Sequence, residues 1–513
     1  MISTINFCII ATIVIYLLGM LAIGFVFSKK NSNSEDFYLG GRKMGPFVTA
    51  MSAEASDMSS WLLMGLPGLA YLTGICDPGW TAIGLGIGTW LNWFFVARRI
   101  RRYSANINAI TVPEFYSKRY HDKSNTLNAI AALVIIVFFI PYTASGFAAC
   151  GKLFNSLFGV NYGVAMLVSA AIIVGYTIMG GFRAVSTTDL IQSIVMTIAL
   201  VVVVCFGISK AGGLEAVIDN ARSLSGYLTM NATYDVASGT AKPYGVLTTI
   251  SILAWGLGYF GMPHILLRFM AIENEKKLVL SRRIATVWVF IAMSVAIFIG
   301  VVGLGMTNAG ALEFLAGSSS ENIITKIAGL ISQNGIFPAI VAGLILAGIL
   351  AATMSTADSQ MLAAASSVSQ NIVQDFFHVK LSEKKSLLIA RLTIIVISLI
   401  GVFLARDPDA SVFKIVSFAW AGFGGAFGAL TLCALFWKRS NRWGALAGMV
   451  SGGVMVFVWK YAVRPLGGIW DLYELLPAFL VSLLFIVVVS LLTKEPEESI
   501  VKEFEAAKLT KEQ

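Results

Sequence analysis

Charge is what this sequence has least of. Charged residues fill 13% of its 513 positions, about half the share of an ordinary globular protein. A soluble chain of this length folds as several domains, each under its own polar surface. Here there is too little charge to cover them. A soluble enzyme, a nucleic-acid binder and a disordered scaffold are therefore poor readings. Histidine is also scarce. His121, His264 and His378 are scattered, and no nucleophile–base pair accompanies them. The five cysteines, Cys8, Cys76, Cys150, Cys205 and Cys433, lack metal-type spacing and lie mostly in apolar runs. They read as small buried hydrophobes. No Gly-rich phosphate loop appears, which argues against ATP-driven transport.

Long apolar runs are what the chain has instead, with 57% of its residues hydrophobic. A spanning helix needs about 20 predominantly apolar residues. The sequence predicts an all-α integral membrane protein with about 13 transmembrane helices. They fall near 6–27, 46–73, 79–97, 127–154, 162–180, 189–209, 245–270, 284–307, 336–373, 387–404, 412–437, 443–462 and 471–493. An odd number puts the termini on opposite sides. Lys29, Lys30, Arg42, Lys43, the Arg98–Arg102 and Arg268–Arg283 clusters, and the C-terminal lysines then share one face with most of the 37 Lys and Arg. The positive-inside rule makes that face cytoplasmic, with the N-terminus outside. The +9 net charge is thereby a topology signal and implies no nucleic-acid partner.

Two spans carry breakers. The second holds Ser56-Asp57-Met58-Ser59-Ser60-Trp61, then Gly65, Pro67 and Gly68. The seventh holds Trp255-Gly256-Leu257-Gly258-Tyr259-Phe260-Gly261-Met262-Pro263-His264. Glycine and proline weaken a helix, and freed backbone groups in lipid must find partners or line a cavity. Discontinuous helices at matching positions of two halves point to a midplane site. Spans two and seven are five apart, which suggests a five-plus-five inverted-repeat core. The expected divisions are 1–45 (extra N-terminal helix and first inner loop), 46–211 (first repeat), 212–244 (outer loop), 245–437 (second repeat), 438–493 (two peripheral helices) and 494–513 (cytoplasmic tail). Packing glycines with a proline kink are the plainer alternative.

Asp57 is the most informative residue, since a carboxylate in a span usually pairs or marks an ion path. Glu54, one turn before it, reads as structural, paired to a loop arginine such as Arg42. The ninth span carries Ala352, Thr353, Ser355, Thr356, Asp358 and Ser359. Hydroxyls in a span are often packing groups. Together with a carboxylate they also suit a hard cation, which takes oxygen ligands. Asp358 reads most simply as part of a helix-end polar network.

Three stretches now carry a resemblance. They are Ser-Asp-Met-Ser at 56–59 followed by Trp-Leu-Leu-Met-Gly-Leu-Pro-Gly at 61–68, Gly-Tyr-Phe-Gly-Met-Pro-His at 258–264 followed by Arg-Phe-Met-Ala at 268–271, and Gly-Gly-Phe-Arg-Ala at 180–184. They resemble the sodium/solute symporter family, and within it the sodium/proline branch, from about residue 5 to about 490. The resemblance implies a multi-pass cell-membrane symporter that is not an enzyme, with Na+ as coupling ion and L-proline as solute. It implies sodium ligands at the carbonyls of Ala55, Met58 and Ala352 and the hydroxyls of Ser355 and Thr356, with Asp57 needed for coupling. It implies a substrate pocket from Ser59, Ser60, Tyr142, Trp255, Tyr259 and Pro263, and gating or coupling roles for Arg42 and Asp189. Met262 departs from the branch pattern, which has a glutamine near this place. Ser60 departs too, from a glycine or small residue. Symport of another small solute, coupled to sodium or protons, and a transporter-like proline sensor are the competing readings.

Overall fold

Apolar runs in lipid must satisfy their backbone internally, so helices dominate. A computed structural model describes residues 4–28 and 34–508. The expected inner lysines Lys29, Lys30 and Lys511 lie outside the described residues. The apolar α1 (Thr4–Ser28) is followed by a short α2 (Ser34–Leu39) and a 3-10 turn at Gly40–Arg42. Then comes α3 (Pro46–Ser60), with proline at its first turn, where no N–H is needed. A π-helical turn (Trp61–Gly65) joins it to α4 (Leu66–Thr73). Next come α5 (Cys76–Leu91), α6 (Ala97–Asn106), α7 (Val112–Arg119), α8 (Thr126–Phe158) and α9 (Tyr162–Lys210). The expected outer loop holds α10 (Leu214–Ser223) and an antiparallel hairpin of β1 (Ala232–Asp235) and β2 (Thr240–Pro243). The seventh expected span is α11 (Val246–Leu253), a 3-10 turn (Ala254–Gly261) and α12 (Pro263–Ala271), bent by 47°. The rest is α13 (Leu278–Asn308), α14 (Ile323–Ser332), α15 (Ile336–Ser366), α16 (Glu383–Leu404), α17 (Val412–Phe423), α18 (Ala429–Phe436), α19 (Arg442–Val458), α20 (Leu475–Leu492) and α21 (Glu498–Ala506).

Nine helices among the described residues are long and apolar enough to cross a membrane, or ten if the bent pair counts as one span. Thirteen were expected, and the difference lies at the breaks. The segments 46–73 and 79–97 are divided into pieces of 15, 8 and 16 residues by π turns. The expected spans 162–180 and 189–209 are joined in the 49-residue α9. At 1.5 Å per residue α9 is about 74 Å long, more than twice a bilayer core of about 30 Å. It breaks inside the Gly-Gly motif, where Gly181 takes φ 62°, ψ −168°.

The polar helices sit in the middle. Residues 49–60 of α3 and 345–366 of α15 are buried throughout. The outer helices α1, α16 and α20 present Ile15, Leu399 and Leu484 outward. Apolar surface outside and hydroxyls inside is the arrangement that a lipid solvent requires. α15 packs against α9, α1, α3 and α8. The 3-10 turn of the seventh segment rests directly on α5. A Cβ on Gly256 would lie 2.2 Å from the Gly84 carbonyl oxygen, so only glycine permits this approach.

Three expectations need correcting here. Arg268 is not part of an inner surface cluster: it lies within α12, only 1% exposed. Asp358 is not near a helix end, because α15 runs on to Ser366. Glu54 does not pair with Arg42. It accepts from Trp93 Nε1 (2.9 Å) and Thr89 Oγ1 (3.2 Å) on the neighbouring helix segment.

Candidate functional site

The break in α3 is at Ser59, which takes φ 48° and ψ −171°. A non-glycine residue held at positive φ is strained, and such strain gathers at functional sites. Its hydroxyl accepts the Trp61 backbone N–H at 3.0 Å, so the local chain stabilises the kink. The Met58 carbonyl accepts from the same N–H. Asp57 precedes the break. The Tyr259 hydroxyl donates to its carboxylate, and the Tyr142 hydroxyl donates to its backbone carbonyl at 3.3 Å. The broken second segment, α8 and the turn of the seventh segment therefore meet at one buried residue, Asp57. The Ser60 hydroxyl and the Trp61 indole N–H are buried beside it, without a hydrogen-bond partner among the described residues. Unmet buried polar groups are costly, and a polar ligand would satisfy them.

A cluster of oxygens joins α3 to α15. The Ser355 hydroxyl donates across the interface to the Ala55 carbonyl (2.8 Å) and lies 3.1 Å from the Ala352 carbonyl. The Thr356 hydroxyl is 3.2 Å from that same carbonyl. Four of the five expected sodium ligands are thus joined by short hydrogen bonds. The fifth, Met58, lies on the turn leading into the break, engaged with Trp61. Neutral oxygens converging on one spot suit a hard monovalent cation.

Aromatic rings wall the other side. Trp255 stacks on Tyr473 with centroids 5.1 Å apart, and lies 5.7 Å from Trp61 and from Phe413. Trp420 meets Tyr259 edge-on at 5.1 Å and donates its indole N–H to the Trp255 carbonyl at 2.8 Å. Pro263 opens α12 four residues after Tyr259, and Met262 before it is fully buried.

The two expected gating residues both grip α12, in separate networks. Asp189 of α9 pairs with Arg268 at 3.1 Å, and both are buried. Arg268 also donates to Ser52 (3.0 Å), Ser359 (2.5 Å) and the His264 carbonyl (2.9 Å). One guanidinium thereby ties α12 to α3, α9 and α15. Asp358 stands next to this network and accepts from Tyr176 at 2.6 Å. Arg42 donates to the Met270 carbonyl near the end of α12 (2.9 Å), and to Ala109 (2.6 Å) in the α6–α7 connection. Just beyond α12, Glu275 pairs with Arg102 at 2.5 Å. The Arg102 guanidinium holds the Glu275 carboxyl below the usual carboxylate range.

Sequence reasoning did not assign sites to Arg268, Trp61, Phe413, Trp420 and Tyr473. Arg268 did carry a signal, since it falls only four residues after His264 inside the quoted motif. The aromatics on α17 and before α20 carried none, because their role depends on which helices are neighbours.

The chain matches the sodium:solute symporter family over residues 37–452. It is 41% identical to a sodium/proline symporter of Haemophilus influenzae over 501 residues, covering 97% of each chain. It is 40% identical to a sodium/proline symporter of Salmonella typhimurium, covering 97% of this chain and 96% of that one. A Na+-coupled sialic acid symporter, solved in a substrate-bound outward-open state, shares the fold, with a TM-score of 0.78 at 20% identity over 96% of this chain and 100% of that one. With its buried polar helices, broken segments and this breadth of similarity, the chain belongs to the sodium:solute symporter family.

Proposed function

We propose that the protein is a secondary transporter, not an enzyme, that moves L-proline into the cell with sodium by alternating access. The observation that carries this is the joining of α3 to α15 through Ser355 and the Ala55 carbonyl, beside a break whose carboxylate is held by Tyr259. The similarity to two sodium/proline symporters supports the choice of solute. The architecture is thirteen spans with a five-plus-five inverted-repeat core, divided at the boundaries expected above. The second, third and seventh spans are broken, and α9 counts as two. The N-terminus lies outside and the C-terminus in the cytoplasm, a reading that the distribution of basic residues supports.

Sodium takes the carbonyls of Ala55, Met58 and Ala352 and the hydroxyls of Ser355 and Thr356. The Ser355 hydroxyl turns its proton away from Ala55, and its oxygen faces the ion. Helix α3 is then clamped to α15, and Asp57 is fixed beside the break. Proline's carboxylate meets the donors left unpaired there, Ser60 and the end of a broken helix. Its ammonium and ring lie among Tyr142, Trp255 and Tyr259, where aromatic faces attract a cation. Arg42 and Asp189 hold α12 until the loaded site favours the other state. Sodium and proline each tighten the other's binding by the same factor, because coupling is reciprocal.

The driving force suffices with one ion. A potential of about 100 mV supplies about 2.3 kcal/mol per charge, and a roughly tenfold sodium gradient adds about 1.4 kcal/mol. Together they support accumulation of about 500-fold. The test is labelled proline uptake into sealed proteoliposomes under an imposed sodium gradient, with Asp57→Asn alongside. Sodium-dependent uptake that collapses in the variant is expected. Absence of uptake by the intact, folded protein would refute the reading and favour another solute or a sensor.

A further inference from the structure

One cavity faces the bilayer rather than the site, and nothing in the transport reading uses it. It is a groove of about 640 Å³ between α3, α9 and α13. Its walls are apolar, with Ile194, Ile198, Val201, Val287 and Ile291 all exposed to the surroundings. Its two central polar groups satisfy each other, because Trp288 Nε1 donates to Thr197 Oγ1 at 3.0 Å. The groove therefore asks for nothing polar along its length.

Its mouth differs. Arg283 lines the groove where α13 begins, next to Phe47 at the start of α3. The two helices are tied there by the Ser281 hydroxyl donating to the Pro46 carbonyl at 2.8 Å. Arg283 is exposed and has no ion pair among the described residues. The two acids just before α13 in the chain are already engaged: Glu273 with Lys277 at 2.6 Å and Glu275 with Arg102 at 2.5 Å. Arg282 lies over the Phe94 ring at 4.9 Å, and Lys43 is exposed four residues before Phe47. The mouth thus carries positive charge, and among the described residues no acid is paired with Arg283.

We propose that this groove is a binding site for an anionic phospholipid, with an acyl chain along α9 and α13 and the phosphate on Arg283. Charge complementarity selects the headgroup, as basic pockets between membrane helices do. The site has a consequence for the core. Met51 and Ser193 form its floor. Met51 adjoins Ser52, and Ser193 stands one turn beyond Asp189, both members of the Arg268 network. A seated chain braces α3 against α9 where that network joins them. The inference concerns the lateral surface and holds whichever solute is carried.

The test uses the full-length protein in vesicles containing a phosphatidylglycerol with a photoreactive acyl chain, and the same with phosphatidylcholine. Crosslinks are mapped by peptide mass spectrometry. With phosphatidylglycerol, adducts are expected on 194–201 and 287–295. Arg283→Gln lowers their yield about fivefold, the weight of one basic residue at an anionic surface. With phosphatidylcholine, the yield is low and indifferent to the variant. Ile198→Trp, which fills the groove, removes the adducts while Arg283 remains. Equal yields with the two lipids, or an undiminished yield in Arg283→Gln, would overturn the proposal. Unchanged thermal unfolding of both variants shows that the loss is local.

Discussion

The Asp189–Arg268 pair makes the sharpest physical claim. Both side chains are buried, 0% and 1% exposed. Arg268→Met removes four donated bonds at once, to Asp189, Ser52, Ser359 and the His264 carbonyl. It leaves the Asp189 carboxylate with Ser52 alone, at 2.6 Å. Breaking a buried pair on one side costs about 3–5 kcal/mol, because the remaining charge is uncompensated. Removing both charges, in Asp189→Asn with Arg268→Met, lifts most of that penalty, since buried pairs contribute little net stability against neutral replacements. The assay is thermal unfolding in detergent, with uptake measured in parallel. The single variant is expected to unfold well below the parent, and the double variant close to it. Uptake stays lost in both, because α12 is no longer held to α9. As a control, Arg222→Met breaks an exposed pair with Asp219 and costs less than about 1 kcal/mol. A double variant as unstable as the single one would refute the electrostatic reasoning.

Two further outcomes follow from the geometry. Ser355→Ala removes the hydroxyl that joins Ala55 to Ala352 and raises the half-saturating sodium concentration for uptake about three- to tenfold, the weight of one neutral hydrogen-bonding group. An unchanged sodium dependence would exclude Ser355 from the ion site. The Glu275–Arg102 pair gives a pH dependence. The folded carboxyl is held below its ordinary value, so its stabilisation is present above the unfolded value of about 4.3 and fades as pH falls through the folded one. Hydrogen exchange at 272–278 is expected to quicken under that acidification in the parent, and to be already fast at neutral pH in Arg102→Gln.

Much of the site could be read from local chemistry. A serine–aspartate run inside an apolar stretch, followed by Gly65, Pro67 and Gly68, announces a broken helix, and the break is at Ser59. The sequence separated the spans 162–180 and 189–209, and the chain breaks at Gly181 between them. Glycine and proline act on their own backbone, so their effect is visible in order along the chain. Partners are different. Glu54 looked ready for an arginine and found Trp93 and Thr89 instead. Asp358 bonds Tyr176, 182 residues away.

The sequence by itself determined the solvent this protein folds in, where its second and seventh spans break and that polar residues such as Asp57 are buried among apolar ones. Those properties follow from composition and from short-range backbone preferences. Only the tertiary structure decided that Arg268 is a buried cation shared by four helices, that Trp420 and Tyr473 complete the aromatic wall, and that Arg42 and Asp189 converge on α12. These are contacts between residues far apart in the chain. They depend on which helix faces are neighbours, and in lipid that choice rests on close packing and hydrogen-bond satisfaction, not on hydrophobicity, which every span shares.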